Sequence, residues 1–280
     1  MSRVVFSELL GGRVFEIDDL DEAGLKNVGN MLLGRPSGPA AHPSGRVVVA
    51  EMDNHAIATA EPGDIWQRFG SRGSGVGEFE RPAATAFLGE ALLVLDSGNC
   101  RVVALDDIAG NGWTSYGHRG RPTPDDPGEG AFADPRGLAV DTSGRIWVSD
   151  PGANRLTRID AIDGSGWTEV ALPAAAEPAL PYGLGAMGDG VVVLDVGNRR
   201  VLVLDVAGAS SVVDLADATW VSPVFVVGVG DKLVVADVAA NELRLLEPDG
   251  ASGFMVVSTL RGSPPDLVHP IFDSLGGVGS

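Results

Sequence analysis

The chain has 280 residues, 44% of them hydrophobic, with a formal net charge of −18 and a pI near 4.4. So acidic a surface repels phosphate backbones and anionic lipid, which argues against binding nucleic acid or membranes by simple electrostatics. A single cysteine, Cys100, excludes an intramolecular disulfide and a cysteine-based zinc site.

In chain order, short apolar runs alternate with turn residues. RVVFSELLGGRVFEID, residues 3–18, holds two runs around a Gly-Gly turn. PSGPAAH at 36 precedes RVVVAEMDNHAIATAE at 46–61. PAATAFL at 82 precedes ALLVLDSGNCRVVALD at 91–106, and PRGLAVD at 135 precedes RIWVSDPGANRLTRID at 145–160. PYGLGAM at 181 precedes VVVLDVGNRRVLVLD at 191–205, and PVFVVGV at 223 precedes KLVVADVAANELRLLE at 232–247. PPDLVHP begins the last segment at 264. Runs of this length, rich in valine and bounded by Gly, Pro, Asn and Asp, read as β-strands.

Aligned on the acid that ends the first apolar run, six copies coincide: Glu8, Glu51, Asp96, Asp150, Asp195 and Asp237. Five residues on stand Arg13, Ala56, Arg101, Arg155, Arg200 and Glu242. Five further stand Asp18, Glu61, Asp106, Asp160, Asp205 and Glu247. The acids are 43, 45, 54, 45 and 42 residues apart, a period that signals a β-propeller. Each unit reads as four strands: a proline-led inner strand, the two hairpin strands, and an outer strand marked by an apolar residue such as Trp113 or Trp167. The segment from 264 has no unit after it, and residues 1–35 have no inner strand before them. Joining the two completes a sixth blade and removes two open sheet edges. The expectation is an all-β chain, a single six-bladed β-propeller of four-stranded blades over 1–280, with blade 6 shared by 1–35 and 262–280.

GSGVGEFERPAATAFLGEALLVLDSGNCRVVALD (73–106) and GEGAFADPRGLAVDTSGRIWVSDPGANRLTRID (128–160) resemble the NHL repeat. They share the G-x-G-x-F-x-x-P lead-in, the V-x-D strand end, the Gly/Asn turn and the following arginine. The resemblance weakens in the unit from 223, where Glu242 replaces the arginine, and is weakest in the split blade. It implies a six-bladed propeller, most often a binding platform. The wider six-bladed group also holds metal-dependent lactonases of the gluconolactonase type, streptogramin lyases and an amidating lyase, so fold alone does not set function.

An Asp–Arg pair repeated around a ring cannot converge on one substrate. It reads as a tie between the second strand's end and the third strand's start. Cys100 reads as a small core residue. A metal reading rests on His42 and His269, each on a predicted inner strand of neighbouring blades, with Asp266 as the best inner-strand acid. Under that alternative the chain is a metal-dependent lactonase or hydrolase with Ca, Mn or Zn on the axis. A streptogramin-type lyase needs a His and a Glu close together at the axis, and none is visible. Small residues such as Gly38, Ala84, Gly137 and Gly185 dominate the inner strands and offer no ligands. The first expectation is therefore a non-catalytic scaffold that binds a protein partner, without a cofactor, as a part of a larger assembly. The long 54-residue interval places an insertion at 116–132. Its His118, Arg119 and Arg121, with Arg136 and Tyr182 one past their prolines, are the expected contacts. MSRVVFSELLGG is too polar for a secretory signal and no window is long and apolar enough for a membrane span, so a cytoplasmic location is expected.

Overall fold

The computed structural model describes residues 3–8, 12–18, 26–28, 32–61, 65–122, 128–205, 210–214, 220–237, 239–250, 253–261 and 275–279. Among these residues there is no α-helix, and six four-stranded antiparallel sheets make the fold. Blade 1 is Pro36–Ala41, Val47–Glu51, Ala56–Ala60 and Gln67–Phe69. Blade 2 is Ala84–Leu88, Ala91–Asp96, Arg101–Leu105 and Thr114–Tyr116. Blade 3 is Gly137–Val140, Ile146–Asp150, Arg155–Ile159 and Thr168–Val170. Blade 4 is Pro181–Met187, Gly190–Asp195, Arg200–Leu204 and Ser210–Asp214. Blade 5 is Pro223–Val229, Lys232–Asp237, Glu242–Pro248 and Phe254–Arg261. Blade 6 joins the termini: Leu275–Gly279 lies innermost, beside Arg3–Glu8, Arg13–Asp18 and Lys26–Asn27. The inner strands touch in cyclic order, and that of blade 6 meets those of blades 5 and 1.

One strand differs from the sequence expectation. The inner strand of blade 6 is Leu275–Gly279, not the segment from Pro264. The proline that opens other inner strands misleads here. LGGVG supplies small residues, which the crowded inner position selects more strongly than it selects proline. Residues 262–274 lie outside the described residues, and with them His269 and Asp266.

The continuous apolar runs follow from the architecture. Each blade is packed on both faces, so its strands have no solvent side to keep polar. In blade 4, Val192 and Leu194 pack toward Val226, Leu233 and Val235 of blade 5, while Val191 and Val193 pack toward Trp147 and Leu156 of blade 3. The described residues form six such apolar clusters, one per junction between blades. Each buried valine or leucine contributes about 1.5–3 kcal/mol. Toward the axis the strands crowd. A Cβ on Gly185 would lie 2.6 Å from the Cα of Val227 in the next blade.

The repeat acids are fully buried in the five blades where their side chains are described. Each faces its hairpin partner directly, as in Asp96 with Arg101 and Asp195 with Arg200, both joined at 2.9 Å. Their reach is longer than the hairpin, however. Each acid also accepts backbone N–H groups from the connector that enters its own blade. Asp150 takes Ala133 and Asp134, both at 2.8 Å; Asp237 takes Val221 and Ser222, both at 2.8 Å. Asp96 takes Glu80 at 2.7 Å, Asp195 takes Leu180 at 2.9 Å, and Glu51 takes Gly34 at 2.9 Å. The arginine donates to carbonyls of the same connector. Arg101 reaches Ser74 O at 2.8 Å and Glu78 O at 2.9 Å, Arg200 reaches Pro173 O at 2.6 Å, and Arg155 reaches Ala131 O. Arg101 and Arg155 also stack over Trp113 and Trp167 at 5.6 and 5.5 Å, which accounts for the tryptophans at one repeat position.

Two blades solve the same problem differently. Where Ala56 replaces the arginine, Arg68 comes from the outer strand and binds Glu51 through both Nε and Nη2. Where Glu242 stands, Arg244 (2.7 Å) and Arg261 (2.8 Å) neutralise it. Burial is the largest influence on Glu51 and raises its pKa. Arg68, the Gly34 N–H and Asn54 together outweigh it and hold the carboxyl below its ordinary value. On Asp96 burial wins over Asn99, the Glu80 N–H and Arg101, and the carboxyl lies above its ordinary value.

Asp150→Ala strips the acceptor from two half-buried N–H groups, those of Ala133 and Asp134. It is expected to lower stability by about 3 kcal/mol, read as a fall of roughly 6–12 °C in Tm by thermal melting. Glu51, with its depressed folded pKa, adds stability that is present above the unfolded value of about 4.3 and lost as pH falls through the folded value. The Tm gap between wild type and Glu51→Gln should therefore be constant near neutrality and narrow on acidification below about pH 4.

Candidate functional site

The hairpin register assigns every turn to one of two faces. The acid ends of the strands, the second-to-third-strand turns and the connectors share one face. The first-to-second and third-to-fourth turns share the other. This sorts the charge. Glu61, Asp106, Asp160, Asp205 and Glu247 follow or end third strands on the second face, joined there by the turn acids Glu90, Asp189 and Asp231. The connector face carries Arg35, Arg81, Arg119, Arg121, Arg136 and Arg199, together with connector and turn acids such as Asp53, Glu80 and Asp134.

On the axis, the inner strands of blades 1 to 5 enclose a cavity of about 540 Å³. Its walls are Gly38, Ala84, Ala86, Gly137, Ala139 and Gly185 among others, so the channel is smooth and mainly apolar. Polar and aromatic groups gather at its ends. At the connector-face mouth stand Arg136, Tyr182 and Phe225. The Tyr182 peptide lies in a register shift between Pro181 and Leu184, and such bulges re-aim side chains at strand ends. The Tyr182 ring meets Phe225 edge to face at 6.4 Å. Arg136 Nη2 pairs with Asp134 at 2.8 Å. The Nε atoms of Arg136 and Arg35 are buried and find no acceptor among the described residues.

The structure brings Arg136 and Tyr182 together at this mouth, as their shared offset from an opening proline suggests. His118, Arg119 and Arg121 are exposed on the same face, and no contact joins them to Arg136 or Tyr182 among the described residues. His118–Arg119 pairs in parallel with Ala131–Phe132, the counterpart of Ser71–Arg72 with Glu78–Phe79 one blade earlier. The extra length thus sits inside a conserved-geometry connector, with residues 123–127 outside the described residues. Arg119 Nη2 donates to Gly98 O at 2.6 Å, which ties the loop to the hairpin turn of blade 2.

His42 lies at the opposite end of the cavity. Its Nε2 is 3.3 Å from Glu90 Oε1, and its ring packs against Phe87 at 5.0 Å. This corrects the sequence expectation that no His and Glu meet near the axis. The two lie in equivalent turns of adjacent blades, so the repeat register carried the signal although 48 positions separate them. Arg35, Arg81, Arg199 and Phe225 were also missed. Arg35 and Arg81 each precede an opening proline, an offset that marks the connector face. Asp141 does not serve the axis: its carboxylate accepts from Arg145 Nε at 2.7 Å and Trp147 Nε1 at 2.8 Å. No group of three His, Cys, Asp or Glu side chains among the described residues is arranged to hold a metal ion, so the described axial residues do not fit one.

Cys100 is fully buried in the left-handed turn position of blade 2, with φ of 56°. Gly12, His55, Asn154, Arg199 and Asn241 occupy the same turn position with φ between 50° and 66°. Burial pushes the Cys100 thiol up.

These features define a six-bladed β-propeller with an apolar axial channel and an arginine-bearing face. Comparison with known proteins agrees on the fold. Residues 132–159 match the NHL repeat model. No curated protein matches the sequence. A chain of the crystallised nidogen/laminin complex superposes with a TM-score of 0.77 at 17% identity, covering 100% of this chain and 98% of that one. A catalytically inactive virginiamycin B lyase from Staphylococcus aureus with quinupristin gives 0.60 at 18% identity, covering 84% and 73%. A Lactobacillus plantarum protein gives 0.62 at 14% identity, covering 93% and 82%. No helix of the described residues is long and apolar enough to cross a membrane.

A raised, buried thiol is inert. Native protein is expected to leave Cys100 unlabelled by a thiol reagent over a time in which denatured protein labels fully, monitored by intact mass.

Proposed function

We propose that the chain is a non-catalytic scaffold that binds a protein partner on its connector face, as a component of a larger assembly. The observation that carries this reading is the channel mouth, where Arg136 and Tyr182 stand with Phe225 above an apolar cavity. Tyrosine and arginine over a desolvated pocket are the residue types that anchor interfaces. The Arg136 side chain is about a quarter exposed at this mouth, and a guanidinium there favours a partner segment that brings carboxylates or carbonyl oxygens. His118, Arg119 and Arg121 extend the same face outward. The propeller of the nidogen/laminin complex, similar over the whole chain, supports a binding role for the architecture.

A second reading, a lyase or hydrolase at the axis, is favoured by the His42–Glu90 pair and by the likeness to a virginiamycin B lyase. Glu90 is 84% exposed, so water screens its attraction to His42. A metal-dependent hydrolase draws in addition on His269 and Asp266.

Two experiments separate the readings. Partner capture with wild type and with Arg136→Glu/Tyr182→Ala should show one protein retained by the first and weakened by about thirtyfold in the second, at unchanged Tm. Equal capture by both sinks the docking proposal. Elemental mass spectrometry of native protein, purified without chelator or metal resin, tests the alternative. About one Ca, Mn or Zn per chain, lost in His42→Ala or Asp266→Ala, supports the hydrolase.

A further inference from the structure

The outermost strands of the blades are not alike. In five blades they are two to five residues long: Lys26–Asn27, Gln67–Phe69, Thr114–Tyr116, Thr168–Val170 and Ser210–Asp214. Short length and polar or charged side chains are how β-proteins blunt an open edge. In blade 5 the outermost strand is Phe254–Arg261, FMVVSTLR, the longest among the described strands. No charge occurs from Phe254 to Leu260. Met255, Val256 and Val257 are 52%, 44% and 44% exposed. They are the only three consecutive residues among the large apolar side chains exposed in the described chain. A register shift leaves Val257 as a bulge, which twists the strand without charging it.

We propose that this edge is where a second copy of the chain adds, strand against strand and antiparallel, about a two-fold axis. The two outer strands then join two blades into one eight-stranded sheet. Charge selects this occupant. Arg261 ends the strand and is 75% exposed, although its Nε also holds Glu242 at 2.8 Å. Asp249 sits at the other end, in the turn where its Oδ1 accepts the Gly253 N–H at 3.0 Å. Antiparallel pairing of identical edges brings each Arg261 toward the partner's Asp249 end, and parallel pairing does not. At net −18 the chain as a whole repels a second copy; along this edge two copies approach without bringing acids together. The site is on the rim, apart from the connector face, so its occupancy leaves the channel mouth open.

Sedimentation velocity over a range of concentrations tests the proposal. Wild type is expected to reach twice the 28.8 kDa chain mass, and Val256→Lys to self-associate at least about tenfold more weakly. Amide hydrogen exchange on wild type gives a second readout that needs no variant. Exchange across 254–261 should slow as concentration rises, while that of Ser210–Asp214 does not change. A wild type that stays monomeric throughout, a dimer that survives Val256→Lys, or concentration-dependent protection confined to other strands overturns it.

Discussion

The fold depends on one recurring interaction, a buried carboxylate that holds the backbone of the connector entering its own blade. A propeller blade by itself is four antiparallel strands with two bare apolar faces. What turns six of them into a ring is the path of the chain between blades. That path crosses from an outer strand to the next inner strand through backbone whose N–H and C=O groups join no blade ladder, apart from two-residue pairings within two of the connectors. The acid accepts the N–H groups and the arginine serves the carbonyls. Asp150 and Arg155 divide the work in this way around residues 128–134. The chemistry is conserved more closely than the residues are. Blade 1 lacks the arginine and recruits Arg68, a cation from a different strand that reaches the same place.

Because the carboxylates at one strand end are internal, they contribute little to the surface. Those at the other end stay in solvent. The six-fold repetition therefore gives the molecule two unlike faces from one repeat. The face of buried acids carries arginines paired locally with connector and turn acids, such as Arg136 with Asp134 and Arg35 with Asp53, while the opposite face accumulates Asp106, Asp160, Asp205 and their equivalents. A strong negative net charge thus coexists with a local site suited to oxygen-bearing partners. Composition alone suggested a uniformly repelling surface.

The ring was legible in the sequence because its signal is periodic. The acid at fixed spacing, the proline before inner strands and the apolar runs buried on both faces each recur, and agreement among six weak copies is strong. The joined sixth blade was legible from the count. Its inner strand was misplaced because the sixth copy keeps the small residues of LGGVG and drops the proline. The connector staple was only half visible: Asp96 and Arg101 are five apart, whereas Glu80, whose N–H the acid binds, is sixteen earlier and has no side-chain signature for that role. The site was legible where it follows the repeat offset, as with Arg136 and Tyr182. It was not where two turns meet across a blade junction, as with His42 and Glu90, because that proximity belongs to the ring and not to any one unit.

A ring also has a rim, and the rim obeys different physics from the faces. Faces are built from turns, whose side chains vary freely once the staples hold. The rim is built from strand edges, whose backbone groups seek partners whatever the side chains are. Five edges here meet that demand by being short, so water satisfies few groups over little length. Phe254–Arg261 is long and presents three adjacent apolar side chains instead. The same strand ends in Arg261, one of the two cations that neutralise Glu242 in the blade lacking the repeat arginine. The extra length lies at the strand's other end, where Phe254 and Met255 pair with Pro248 and Glu247 of a third strand that itself runs on to Pro248. The exposed edge of blade 5 thus follows from a longer hairpin, while the repair at Glu242 uses the register position that Asp214 holds opposite Arg200 in blade 4.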